Sequence, residues 1–446
     1  MNTPICNFVR RYAKEDPLRL HMPGHKGRAL LGMEALDLTE VEGADSLYEA
    51  SGIIRESEEN ASTLFGCPTF YSTEGSSQCI RAMLYLTLLH ARNQGKTPLI
   101  AAGRNAHKTF LSGVALLDPD VVWLPPQDGD SYLSCKTTPR DVEAFFQTLP
   151  TLPTALYLTS PDYLGNTADL EGIADVCHRY GVLLLVDNAH GAYLKFLPTS
   201  QHPIDLGADL CCDSAHKTLP ALTGAAYLHI SPNAPAFMAD SAKEALALFG
   251  STSPSYLILQ SLDAVNAILA EDYPRQLAEF EAQVKQCKSR LLELGYTLYG
   301  EEPMKITLAT KAYGYRGEEL AGLLAERGIV CEFADPDFLV LMLTPSVGAE
   351  GPERLTQALR EIPRREAILD APPPMHLAQR VMTVREATLR PHESLPAKEC
   401  LGRVLGSPSV GCPPAVPVLA CGERIDENAI HAFNYYGITT CTVVKE

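Results

Sequence analysis

VLLLVDNAHG, residues 182–191, runs five apolar residues into an aspartate, and DLCCDSAHKT, residues 209–218, follows the same pattern and then offers a lysine. A short apolar run closed by polar residues reads as a strand buried on both faces, as in helix-covered parallel sheets. Two more runs end in the same way. TFYS (69–72) opens into Thr73-Glu74-Gly75-Ser76-Ser77, and PLIAA (98–102) into Gly103-Arg104-Asn105-Ala106-His107-Lys108. In an open parallel sheet ligands bind beyond the carboxyl ends of the strands, so these four polar termini are where chemistry is expected.

Outward from these runs, Val121–Leu124, Ala155–Thr159 and Gly224–Ile230 also read as strands. Gln78–Ala91 and Asp169–Tyr180 have helical spacing, the latter closed by Gly181. From about residue 56 to 230 this is the βαβ rhythm of a mostly parallel sheet. Beyond Pro254 a long amphipathic helix, Gln276–Leu294, leads into a smaller α/β unit. Its expected parts are a strand at Lys305–Ala309, a helix at Arg316–Arg327, and strands at Ile329–Phe333 and Phe338–Leu343. Pro363 and Pro372-Pro373-Pro374 mark a linker, and the tail from Met375 includes a proline-dense stretch from Pro408 to Pro417. The expected division is an N-terminal arm (1–55), a large domain (56–260), a small α/β domain (261–371) and a C-terminal α+β region (372–446).

With 446 residues, 46% of them hydrophobic and 20% charged, the chain can bury a sizeable core, which excludes a disordered or fibrous protein. Its formal net charge of −17, with no segregated basic patch, argues against nucleic acid as a partner. The 13 cysteines are scattered without a C-x-x-C pair and read as reduced thiols. The first residues contain no apolar h-region, and no run approaches a membrane span. A cytoplasmic protein is expected, with no metal and no membrane partner.

A strand-end aspartate, a lysine after the next strand and a Gly/Ser loop opening a helix together suit pyridoxal 5′-phosphate. The amine of Lys217 can form the Schiff base. The carboxylate of Asp187 can pair with the protonated pyridine nitrogen and keep the ring an electron sink. Gly75, Ser76 and Ser77 can present N–H and hydroxyl groups to a phosphate at a helix N-terminus. Each alone has a plain structural reading: Asp187 as a cap, Lys217 as a surface lysine, the Gly-Ser loop as a turn, His107 and His190 as hydrogen-bonded structural histidines. Their conjunction in one chain order favours the cofactor.

The sequence resembles the ornithine/lysine/arginine decarboxylase family, pyridoxal-phosphate enzymes of the aspartate-aminotransferase fold (fold type I), and most of all its short bacterial members without a wing domain. The likeness rests on LRLHMPGHKGR (18–28), LTEVEGAD (38–45), RNAHK (104–108), TSPDYLG (159–165), VDNAHG (186–191), DSAHKTLPALTGAAYLH (213–229), FLVLMLTP (338–345) and PVLACGERI (417–425). It implies a cofactor bound covalently by Lys217, with Asp187 on the pyridine nitrogen, His107 stacked on the ring and Ala189 on its other face. Ser76, Ser77, Ser214 and His216 would lie near the phosphate, and His190 beside the cofactor. It also implies a homodimer with shared active sites, to which Asp45 reaches across the interface. Family members tend to have Asn where this chain has Glu74, Glu where it has Asn188, and an uncharged residue at Asp162.

The implied reaction is decarboxylation of a basic amino acid (arginine, lysine or ornithine) to its amine, with Lys217 or His216 returning the proton to Cα. The substrate's distal cation needs an acid, for which Asp45, Asp162 and Glu332 are candidates. The competing readings are an aminotransferase or β-eliminating lyase on the same fold, and a catalytically weak regulatory homologue suggested by Glu74 and Asn188.

Overall fold

The computed structural model describes residues 1–127, 131–407, 411–412 and 416–446, so part of the Pro408–Pro417 stretch lies outside the described residues. Its contacts divide the chain into two units, Met1–Lys96 with Leu183–Leu277, and Thr97–Val182 with Ala278–Glu446. The first unit opens with α1 (Pro4–Glu15), α2 (Ile53–Phe65), β1 (Thr69–Ser72) and α3 (Ser76–Asn93). The second begins with β2 (Leu99–Ala102), α4 (Lys108–Leu117), β3 (Asp120–Trp123), α5 (Pro139–Thr148), β4 (Ala155–Thr159) and α6 (Leu170–Arg179). The chain returns to the first unit for β5 (Leu183–Asp187), β6 (Leu210–Asp213), α7 (Ala215–Thr218), β7 (Ala226–Ile230), α8 (Phe237–Asp240), α9 (Ala242–Ala247) and α10 (Tyr256–Ala270). The division falls inside α11 (Tyr273–Glu293), after which come β8 (Leu298–Tyr299), β9 (Lys305–Ala309), α12 (Gly317–Ala325), β10 (Phe333–Ala334), β11 (Phe338–Met342) and α13 (Glu350–Arg360). The C-terminal elements are α14 (Val384–Leu389), β12 (His392–Pro396), β13 (Gly411–Cys412), β14 (Val416–Pro417), α15 (Glu427–Tyr435) and β15 (Thr440–Val444).

In the first unit the strand order is β1-β7-β6-β5. β5 and β6 are parallel, and β7 runs antiparallel to both β6 and β1. Every residue of β5, β6 and β7 is buried, which is why they read as mainly apolar runs. α3 packs against all four strands through residues such as Ala82, Met83 and Leu86. The N-terminal helix is held by a buried carboxylate: Asp263 accepts the Cys6 N–H at 2.9 Å and the Ser57 hydroxyl at 2.6 Å.

In the second unit β4, β2 and β3 are neighbours in that order and parallel. α6 starts on an Asp169 cap that accepts the Gly172 N–H and ends before Gly181, whose φ of +68° is the left-handed turn glycine takes without strain. A second, antiparallel sheet has the order β10-β11-β9-β8. The strand expected at Ile329–Phe333 is corrected here: only Phe333–Ala334 pairs, as a short edge strand on β11, and Val330 is 88% exposed. The apolar run passes the sheet edge before it finds a partner. β12 pairs with β15, and the C-terminal residues Leu405, Val418, Phe433 and Val443 share one core with Leu164 and Val340. Cys6, Cys67, Cys79, Cys211, Cys212 and six others through Cys441, with Cys135 between them, are free thiols. No helix among them is long and apolar enough to cross a membrane.

The C-terminal segment is also tied to the loop after β2 by a buried ion pair. Arg104 donates to the carbonyls of Pro417 (3.0 Å) and Val418 (3.2 Å) and to Glu423 Oε2 at 3.3 Å, with both side chains 4% exposed. Removing one partner strands the other as a buried charge. Glu423→Ala is therefore expected to cost about 3–5 kcal/mol in denaturant unfolding, and Glu423→Gln, which keeps an acceptor, clearly less.

Candidate active site

Asp187 is the last residue of β5 and is 2% exposed. Its Oδ1 accepts the N–H of Ala189 at 3.2 Å and the thiol of Cys212 at 3.6 Å, which fixes the carboxylate at the strand end. Parallel pairing sets Asp187 opposite Cys212, so the next residues of the chain, Asp213 and Ser214, emerge beside it. The chain then turns into the single helical turn α7, which carries His216 and Lys217. The Lys217 Nζ lies 2.9 Å from His190 Nε2, three residues beyond Asp187. As an ammonium, Lys217 donates this bond and His190 Nε2 supplies the lone pair.

The Gly/Ser loop joins the same strand ends. Gly75 donates its N–H to the Gly224 carbonyl at 2.8 Å and turns with φ +71°, a conformation that favours glycine, to start α3 at Ser76. The hydroxyls of Ser214 and Ser76 are 2.9 Å apart. Ser77 follows in the first turn of α3. Half-buried His216 pairs through Nδ1 with the Ala225 carbonyl at 2.9 Å. That acceptor places the ring proton on Nδ1 and leaves Nε2 with a lone pair. Burial holds the His216 pKa below the usual imidazole value, favouring the neutral ring.

The set comprises an amine, a buried carboxylate one strand away, two hydroxyls and the N-terminus of an 18-residue helix. Its donors fit a pyridine cofactor carrying a phosphate: the carboxylate suits a protonated ring nitrogen, and the helix N-terminus suits a dianion. Glu74 does not oppose that anion within the loop's own bonding. Its Oε1 accepts the Ser251 N–H at 2.5 Å instead.

The remaining residues singled out from the sequence are engaged locally. Asp45 is a cap for α2: its carboxylate accepts N–H groups of Ser51, Gly52, Ile54 and Arg55. In the second unit His107 caps α4, and Nδ1 accepts the Thr109 N–H at 3.2 Å, so a neutral ring carries its proton on Nε2. Asp162 lies in the loop after β4 and accepts the N–H groups of Leu164 and Asn166, both at 2.9 Å, and the Asn166 amide at 2.6 Å. Glu332 is exposed and accepts the Tyr163 hydroxyl at 3.0 Å.

One part of the site had no signal in the sequence. Asp213 Oδ2 is 3.1 Å from both His202 Nε2 and His229 Nε2, and all three side chains have no exposed surface. Burial alone would raise the Asp213 pKa, but the two imidazoles hold it well below the usual carboxylate range.

The family model described as "Orn/Lys/Arg decarboxylase, major domain" matches residues 3–294. The chain is 30% identical to the uncharacterized protein YaaO of Bacillus subtilis, over 96% of this chain and 93% of that one. It is 29% identical to an arginine decarboxylase of the same organism, over 96% and 92%. The solved lysine decarboxylase of Francisella novicida superposes with a TM-score of 0.78 at 16% identity, covering 99% of this chain and 81% of that one, a likeness of fold.

Asp162 makes a pH-dependent contribution to stability. Burial, opposed by the Asn166 and Leu164 bonds, pushes its pKa up to about 6. A carboxyl whose folded value lies above its unfolded value holds a proton in the folded chain that the unfolded chain has released. Its contribution therefore falls as pH rises from about 4 to 6 and is level above that. Asp162→Asn is expected to remove this slope. Denaturant unfolding of both proteins across that window should show the variant gaining on the wild type as pH rises, and parallel profiles would refute the assignment.

Proposed function

We propose, on the premise that the chain belongs to the Orn/Lys/Arg decarboxylase family, that its substrate is arginine and that the Lys217–Asp187 site carries the reaction. Membership makes the chain a pyridoxal-phosphate-dependent amino-acid decarboxylase of fold type I. The site assignment is carried by one observation: Lys217 Nζ meets His190 Nε2 at 2.9 Å on the strand pair that also ends in the buried Asp187. The arginine decarboxylase that aligns along nearly the whole chain supports arginine above lysine and ornithine.

Pyridoxal phosphate, when bound, supplies an electron sink for the pair left at Cα as CO₂ departs. Lys217 would hold it covalently through Nζ, and Asp187 would pair with its ring nitrogen. Gly75, Ser76, Ser77 and Ser214 would hold the phosphate, with His216 near it and His190 beside Lys217. The resemblance adds Ala189 and His107 on the two faces of the ring. The proton returned to Cα would come from Lys217 Nζ, or from His216 once its Nε2 lone pair has taken one up. Asp45 and Asp162 spend their carboxylates on backbone donors, and we propose exposed Glu332 for the substrate's guanidinium. A homodimer and a cytoplasmic location complete the proposal. Sedimentation of the holoenzyme should give twice the 48.5 kDa chain mass.

The holoenzyme should release CO₂ and one amine per turnover from arginine, more slowly from lysine or ornithine, and scarcely from leucine or glutamate. A keto acid in place of the amine, or a neutral or acidic amino acid as the better substrate, overturns this reading. Borohydride reduction and peptide mapping should place the cofactor on Lys217, and a label on Lys26 or Lys108 would refute the site. Asp187→Ala should fold and still take the label while losing about a hundredfold or more in kcat. Glu332→Gln should raise KM for arginine far more than it weakens cofactor binding.

A further inference from the structure

The residues after Asp187 are tied to the residues before Lys217 by one side-chain pair outside the groups assigned above. Asn188 has no exposed surface, and its Nδ2 donates to Asp213 Oδ1 at 2.7 Å while its backbone N–H donates to the Cys212 carbonyl at 3.0 Å. The amide orientation follows from chemistry, because turned over it would set Oδ1 against a carboxylate. In the present orientation Oδ1 is buried with no hydrogen-bond partner among the described residues. It fills space left by Gly191, where a Cβ would come within 2.0 Å of it. The other Asp213 oxygen is taken by His202 and His229. His202 Nδ1 accepts the Ile204 N–H at 3.4 Å, which leaves the proton on Nε2 to donate to Asp213.

We infer that Asn188 and Asp213 are a positioning pair that locks the Asp187–His190 turn against the Ser214–Lys217 turn, and that the anion at 213 excludes an acid at 188. The inference rests on the reading of Asp187 and Lys217 as the residues that hold the cofactor. A carboxylate at 188 would meet Asp213 at hydrogen-bond distance with both groups out of water, where like charges cannot both stay ionised. An acid at 188 thus requires an uncharged donor at 213. An asparagine at 213 meets this need: its oxygen can face the two histidines and its amide can donate to 188.

The test is a double-mutant cycle on the holoenzyme with Asn188→Asp, Asp213→Asn and both together. Asn188→Asp should lower kcat by about thirtyfold with KM nearly unchanged, and adding Asp213→Asn should recover about tenfold. The melting temperature of the cofactor-free protein and the visible absorbance of the bound cofactor should shift in the single variant and return in the double. Multiplying effects in kcat overturn the inference, and so does coupling seen in melting alone, which makes the pair merely structural. Should Asn188→Asp fail to fold, Asn188→Ala adds no charge, and wild-type kcat in that folded variant overturns the proposal. A borohydride label away from Lys217 defeats the underlying reading instead, so the two failures are distinguishable.

Discussion

Asp213 has no contact with water, and a charge so placed persists only where donors replace the solvent it has lost. Here His202, His229 and Asn188 are those donors. They come from three separate stretches: the loop before β6, strand β7 and the turn after β5. The β6–β7 register sets Cys211 opposite His229, and the two-residue period of a strand carries Asp213 to the same face as Cys211. The anion thus joins the strand ends that carry Asp187 and Lys217, and its low pKa keeps the junction charged far below neutral pH. His202, Cys211 and Asp213 also have the atom spacing of a metal site. The hydrogen bonds from His202 and Asn188 to Asp213 already occupy that carboxylate, so the cluster needs no ion to be satisfied.

The second unit repeats the logic with a different pair. Arg104 and Glu423 are buried while bonded to each other, and Arg104 also stacks over Trp123 at 5.1 Å. The guanidinium donates to two carbonyls of the C-terminal segment, those of Pro417 and Val418. Three residues later the same loop delivers His107 as the cap of α4. The C-terminal segment is therefore part of what holds that loop. In both units a buried charge fixes the backbone next to a residue that the sequence marks for chemistry.

Three short runs were legible to the residue, at Thr69–Ser72, Ala155–Thr159 and Lys305–Ala309. The two deciding runs extend one residue further than their apolar pattern, because backbone pairing continues through Asp187 and Asp213. Polarity marks where a side chain leaves the core, whereas the strand ends where its ladder stops. Two-residue pairings such as β8 and β10 leave too little pattern to read, and the apolar residues 329–331 suggest a longer strand than the sheet edge can pair. Lys217, Asp187, His190, Ser76 and Ser214 were legible because each sits beside a strand end in the sequence itself. His202 and His229 were not, since only the folded register brings them to Asp213.

The acidic candidates show a different limit. In a chain with 54 Asp and Glu residues, a carboxylate near a motif carries little information by type alone. What decides its use is the supply of backbone N–H groups around it. A helix start leaves its first N–H groups without intrahelical acceptors, and a tight loop after a strand does the same. Asp45 lies within reach of four such donors around the start of α2, and Asp162 within reach of two in the loop after β4. A carboxylate drawn into that role cannot turn to a substrate without exposing the donors it satisfies. Glu332 stands beside the short edge strand β10, where a backbone ladder already takes its own N–H to Val340 and the side chain accepts the Tyr163 hydroxyl. Local backbone accounting is thus what the proposal of Glu332 over Asp45 and Asp162 rests on.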